Sequence, residues 1–155
     1  MRTVMIVLAA VFSLIVLLII IGRIYSSRVP APAGVGTGTL APCLASPNCV
    51  STEATDEMHQ VDAIPLDRPA SEAIETLATI MRKMPKSRIV SQTDSYLHVE
   101  LRSSFWNFID DVEFLVNEST GQIDSRSAAR TGYSDLGVNK DRYLKIVEEY
   151  ALLSR

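Results

Sequence analysis

The sequence is poor in the residues from which metal sites and nucleophiles are built: its 155 residues include two cysteines, two histidines and one tryptophan. Cys43 and Cys49 lie too far apart for the usual zinc spacing and have no companion pair of His or Cys downstream, so zinc is a poor reading. The common catalytic templates are missing too. No phosphate-cradling glycine loop precedes a helix, and there is no Gly-x-Ser-x-Gly elbow, no His-Glu-x-x-His helix and no free cysteine beside an obvious base. An excess of positive charge is also absent. The formal charge is -3, and residues 24–155 hold 13 of the 15 Lys and Arg (all but Arg2 and Arg23) against all 18 Asp and Glu, a charge of -5. That balance argues against nucleic acid and anionic lipid as partners.

One absence is local. Between Thr3 and Ile21 there is no charge, and Thr3 and Ser13 are the only polar residues. As a helix this block measures roughly 28 Å, close to the ~30 Å hydrocarbon thickness of a bilayer. It also exceeds the ~7–15 apolar residues of a cleaved signal peptide. Residues 1–23 therefore read as an N-terminal transmembrane anchor, or signal-anchor. The flanking charges do not orient it, because the terminal amine and Arg2 balance Arg23 and Arg28. A short head and a long downstream domain favour translocation of that domain. The expectation is a single pass in the inner (cytoplasmic) membrane with a periplasmic, extracytoplasmic C-terminal domain.

Residues 24–42, with the run Gly34-Val35-Gly36-Thr37-Gly38-Thr39, have no periodicity and read as a flexible tether with a reach of about 20–25 Å. Cys43 and Cys49 then frame a Ser46-Pro47-Asn48 turn. In an oxidising compartment they would close a disulfide; in the cytosol they would remain two small buried thiols.

The folded part, residues 43–155, begins with helical spacing. Ala70, Ile74, Leu77, Ile80, Met81 and Met84 recur every three or four residues from Pro69 until Pro85 stops the pattern. Period-two alternation follows over 88–93, 95–103 and 111–117, and a Gly121 turn returns the chain through 122–129. Asn139 is a plausible N-cap for a last helix bearing Tyr143, Ile146, Val147 and Tyr150 on one face. The predicted fold class is α+β: a two-layer domain with about four strands in an antiparallel meander, packed by two helices and preceded by one N-terminal transmembrane helix.

At this point a resemblance can be read from the residues. The segment Leu40 to Ser51, the run Asp110-Asp111-Val112-Glu113-Phe114, the run Arg126-Ser127-Ala128-Ala129-Arg130 and the segment Gly132 to Asn139 together resemble a bacterial and plastid family known as domain of unknown function 1499. The resemblance covers about residues 40 to 152. It departs at Leu44, where the family usually has Pro, and at Ala129, where Ser is common. Members often carry an N-terminal membrane or export segment, which implies an extracytoplasmic domain here. The resemblance implies no reaction.

Three groups of side chains invite a function. On the polar face of the predicted sheet, His98, Glu100 and Arg102 alternate on one strand, Asp111 and Glu113 on the next, and Arg126 and Arg130 on the last. They read either as a charged site, able to hold a metal or an anion, or as a ladder of solvated ion pairs worth about 0.2–1 kcal/mol each. The segment from Arg126 to Arg142 reads as a ligand loop. In that reading Arg126, Arg130, Asp135, Asn139 and Arg142, with help from Glu113 and His98, would offer charge and helix-terminal amides to an anion; the plainer alternative pairs Asp135 with Arg130 or Arg126. Phe105 and Trp106 are either core or a contact for a partner or the lipid interface. His59 reads as surface or packing. No catalytic residue, metal ligand set or cofactor is assigned. The expected function is a membrane-anchored binding or accessory/assembly module with another membrane or envelope protein as partner. The alternative is a small anionic-ligand-binding or hydrolytic domain built on the loop.

Overall fold

The computed structural model describes residues 2–29, 40–103 and 106–153. Helix α1 runs from Arg2 to Arg28. It is long and apolar enough to cross a membrane, and its most apolar stretch is wholly unburied. The helix outlasts the apolar block, so residues 24–28, expected in the tether, are its last turn and more. Residues 30–39 of the expected tether lie outside the described residues. From Leu40, which is buried, the chain is packed against the domain.

The domain is α+β, with a sheet of six strands rather than about four: β1 (Cys49–Ser51), β2 (Ile64–Pro65), β3 (Ser87–Gln92), β4 (Tyr96–Arg102), β5 (Ile109–Asn117) and β6 (Gln122–Ala129). Strands β3 to β6 are antiparallel neighbours in chain order. β1 and β2 then pair one after the other along the free edge of β6, Cys49 opposite Ala128 and Ile64 opposite Ile123. Those two strands are too short to show a period, which is why alternation alone misses them. They matter because they occupy an edge that would otherwise present unpaired backbone groups.

Helices α2 (Ala70–Lys83) and α3 (Val138–Leu153) cover one face. The buried stripe of α2, Ala73, Ile74, Leu77, Ala78, Ile80 and Met81, packs in one cluster with Leu97, Val99, Val112, Phe114 and Ile123 of the sheet and Tyr143, Ile146 and Tyr150 of α3. Pro85 ends α2 as expected: Met84 takes an extended ψ of 135°, the conformation a residue before proline prefers. At the β5–β6 hairpin Gly121 takes a φ of +65°, and Asn117 Oδ1 accepts the Thr120 amide.

The opening loop is held at two points. Cys43 and Cys49 form a disulfide with a Cα–Cα separation of 5.7 Å. His59 is buried rather than on the surface; its Nδ1 lies 2.7 Å from Asp56 Oδ1 and its Nε2 3.1 Å from the Ser46 carbonyl oxygen. The Asp56 carboxylate raises the His59 pKa against the opposing effect of burial. We expect replacement of both cysteines by serine to lower unfolding stability by about 2 kcal/mol, the loop-entropy scale for a closure this short. Urea melts with and without reductant measure it, and reductant should leave the double variant unchanged.

Candidate functional site

In β4, β5 and β6 alternate residues turn away from the helices. Antiparallel register aligns them across the sheet: Glu100 lies opposite Asp111, His98 opposite Glu113, and Glu113 opposite Arg126. This polar face is not solvated. Asp111 is 0% exposed and Glu113 1%, and His98, Glu100 and Arg126 are also buried. The ladder of solvated ion pairs is therefore corrected to a buried ion-pair network, with a different energetic scale. Charges withdrawn from water must be paired and hydrogen-bonded, and deleting one partner costs about 3–5 kcal/mol.

Arg130 is the centre of that network. Its Nε donates to Asp111 Oδ2 and its Nη2 to Asp111 Oδ1, both at 2.7 Å, a two-pronged grip along one edge of the guanidinium. Nη2 also reaches Glu100 Oε1 at 2.6 Å, and Nη1 donates to the Val29 carbonyl at 3.2 Å, just past the end of α1. His98 Nε2 lies 2.7 Å from Asp111 Oδ1, and Arg88 Nη2 donates to Glu100 Oε2 at 2.8 Å. Burial pushes the Asp111 pKa up, but hydrogen bonds from Arg130 and His98 outweigh it and hold the carboxyl below its usual range. Glu100 is likewise held low, burial being outweighed by Arg88 and Arg130. Arg130 and both carboxylates are thus consumed by one another, and none is open to an incoming ligand.

Arg126 differs. Its Nη1 donates to Glu113 Oε2 at a long 3.3 Å, and the other Glu113 oxygen accepts from the Tyr96 hydroxyl at 2.9 Å. Among the described residues Arg126 Nε is buried with no hydrogen-bond partner. Arg126 lines a cleft of about 300 Å3 together with Tyr25 of α1, Leu44, Asn48, Thr131 and Gly132. The Thr131 hydroxyl, and that of Ser125 on the helix side of β6, are likewise buried without a partner among the described residues.

The remaining predicted site residues lie on the helix side of the sheet, and the structure does not join them to Arg126, Arg130, Glu113 or His98. Helix α3 starts at Val138, so Asn139 lies inside it and is not its N-cap. Asp135 does the capping: its Oδ1 accepts the Gly137 amide at 3.0 Å, and its Oδ2 accepts the Asn139 amide and Nδ2, each at 2.7 Å. The helix-terminal amides expected to receive an anion already hold one from their own chain. Asp135 therefore pairs with neither Arg130 nor Arg126. Asn139 Oδ1 accepts from Ser127 at 2.6 Å and from Arg142 Nη1 at 2.7 Å, and Arg142 Nη2 closes on Asp110 Oδ2 at 2.7 Å. This cluster locks the strand-to-helix turn.

Trp106 is 45% exposed and stacks on Phe108 at a centroid distance of 6.3 Å. Phe105 lies outside the described residues. Among the described residues, no group of three or more His, Cys, Asp and Glu side chains is placed to hold a metal ion. Thr131 and Tyr25 were not legible as site residues: one falls past the end of β6, the other in a helix far away in sequence, and neither belongs to a recognisable pattern.

We expect Arg130→Met to cost about 3–5 kcal/mol at pH 7, because it leaves Asp111 and Glu100 buried without their cation. The two carboxyls have lowered native pKa values, so their contribution is whole above about pH 4.5, the ordinary Glu value, and is lost as pH falls through those lowered values. The gap between variant and native chain should therefore narrow in acid, as read by urea midpoints from pH 7 down to 3.

No curated protein and no solved structure matches the chain. The profile of the family described as Protein of unknown function (DUF1499) matches residues 39–150, a span that contains the disulfide, the ion-pair network, the Asp135 cap and the domain's side of the cleft. The chain belongs to that family.

Proposed function

We propose that this protein is a membrane-anchored accessory module, held by α1 in the inner membrane as a single pass, with its domain resting on the extracytoplasmic surface and engaging another membrane or envelope protein. The observation that carries this reading is the apolar cleft that α1 shares with the aromatic pair. Ile15, Leu18, Ile19, Gly22 and Arg23 share one apolar cleft with Trp106 and Phe108. If α1 spans a bilayer, Trp106 and Phe108 lie where its hydrocarbon gives way to headgroups, the depth at which tryptophan is enriched.

Three further features support it. The end of α1 is seated on the domain, since Ser26 is buried and its hydroxyl accepts the Ile109 amide at 3.3 Å. The domain is therefore held close to the helix rather than at the full length of a tether. The disulfide suits an oxidising compartment, which favours the extracytoplasmic side. The polar network is self-satisfied around Arg130, so its charged groups serve the fold and require no reaction.

Trp106 is the single tryptophan, so its emission reports on one place. In vesicles whose acyl chains carry bromine near the headgroup, we expect that emission to be quenched and the protein to resist extraction by alkaline carbonate. Protease added from the extracytoplasmic side should digest the domain, and protease added from the cytoplasmic side should not. Release by carbonate, or digestion from the cytoplasmic side, overturns the reading.

A further inference from the structure

The cleft beside Arg126 is unlike the rest of the polar face. Elsewhere on that face the buried charges consume one another: both oxygens of Asp111, both of Glu100 and three nitrogens of Arg130 have partners. Arg126 does not close its valence. With Nη1 on Glu113, its Nε–Nη2 edge donates to no partner among the described residues, and that is the edge by which Arg130, four residues further along the chain, grips Asp111. A buried guanidinium nitrogen left unpaired, as Nε is here, costs free energy that folding alone does not recover. The Thr131 hydroxyl, lining the same cleft, is in the same condition. Ala128, Ala129 and Gly132 keep the space before them open, at a volume suited to a small ligand.

The chemistry of the lining selects the occupant. Asp111, which borders this region, is spent on Arg130 and His98, and Glu113 beside Arg126 is spent on Arg126 and Tyr96, so among the described residues the cleft offers donors and no free acidic acceptor. Nε, Nη2 and a hydroxyl are three donors, one more than the oxygens of a carboxylate. We propose that this cleft binds the phosphate group of a small ligand, with the Arg126 edge in a two-pronged grip and Thr131 Oγ1 on a third oxygen. The net acidity of the domain is no obstacle, because recognition here rests on a few desolvated donors and not on long-range attraction. Two sources can supply that phosphate. Tyr25, near the end of α1, forms part of the cleft wall, which brings a lipid headgroup within reach if α1 spans the bilayer; a soluble phosphate ester is the other.

The test is isothermal titration of the full-length protein in neutral detergent with inorganic phosphate, then with acetate. We expect saturable one-to-one binding of phosphate and weaker binding of acetate. Arg126→Lys, which keeps the charge but loses the edge, should weaken phosphate by about tenfold, and Thr131→Val by about fivefold. Thr131→Val should also melt like the native chain when unliganded, because its hydroxyl has no partner to lose; it keeps the test decisive if Arg126→Lys misfolds. Absence of saturable phosphate binding, equal affinity for acetate, or unchanged affinity in Thr131→Val overturns the proposal. Vesicles of phosphatidylglycerol in phosphatidylcholine separate the sources. Loss of phosphate binding in their presence identifies a headgroup, and undiminished binding identifies a soluble ester. Neither result depends on which side of the membrane the domain occupies.

Discussion

The grip of Arg130 on Asp111 is the interaction on which the polar half of the domain depends. One planar guanidinium satisfies Asp111 along its edge, takes an oxygen of Glu100, and reaches the Val29 carbonyl just beyond α1. It therefore joins the end of β6, the first part of β5, the strand β4 and the end of α1 through a single side chain. A lysine presents no flat edge to a carboxylate and could not make this set of bonds. Once Asp111 and Glu100 are buried, such a cation is required rather than optional, because an uncompensated carboxylate out of water costs more than the pair contributes.

The sheet carries two independent polar systems, one on each face, and strand alternation separates them. Asp110 and Asp111 are adjacent in sequence yet point in opposite directions: Asp110 meets Arg142 of α3, and Asp111 meets Arg130. Burial raises the Asp110 pKa in spite of Arg142, whereas Asp111 is held low by two donors. Beside them on β6, Ser127 serves the helix-side cluster through Asn139, and Arg126 serves the other face. In the second system Arg126 Nε is buried without a partner among the described residues, and it lies where the end of α1 meets the domain. The proposed phosphate site lies there, whereas Asp135, Asn139, Ser127, Arg142 and Asp110 on the helix side are bonded to one another at the start of α3.

Much of the fold follows from patterns that survive without tertiary context. The three-and-four spacing of α2 and its stop at Pro85, the alternation of β4 and β5, the Gly121 turn and the charge-free block of α1 each reflect local geometry or a simple solvent preference. Strands β1 and β2 could not be read in the same way. Three residues and two residues hold no period, and they are strands only because β6 offers them an edge. The Asp135 cap was misplaced for a related reason: Gly-Val-Asn is compatible with several helix starts, and the choice rests on where Ser127 and Asn48 stand to meet Asn139.

The sequence by itself determined which side chains could meet, since period-two alternation puts His98, Glu100, Asp111, Glu113, Arg126 and Arg130 on one face whatever the fold does next. It also determined that an apolar helix precedes the domain, because a charge-free stretch of that length has few other uses. Only the tertiary structure decided how those charges are spent. Whether a charge is solvated or buried depends on what lies over the sheet, and the end of α1 together with Leu44 lies against this face, at residues far from it in the chain. That burial turned an ordinary ladder into an obligate network, and the register between β5 and β6 left Arg126 with one long bond and an open edge.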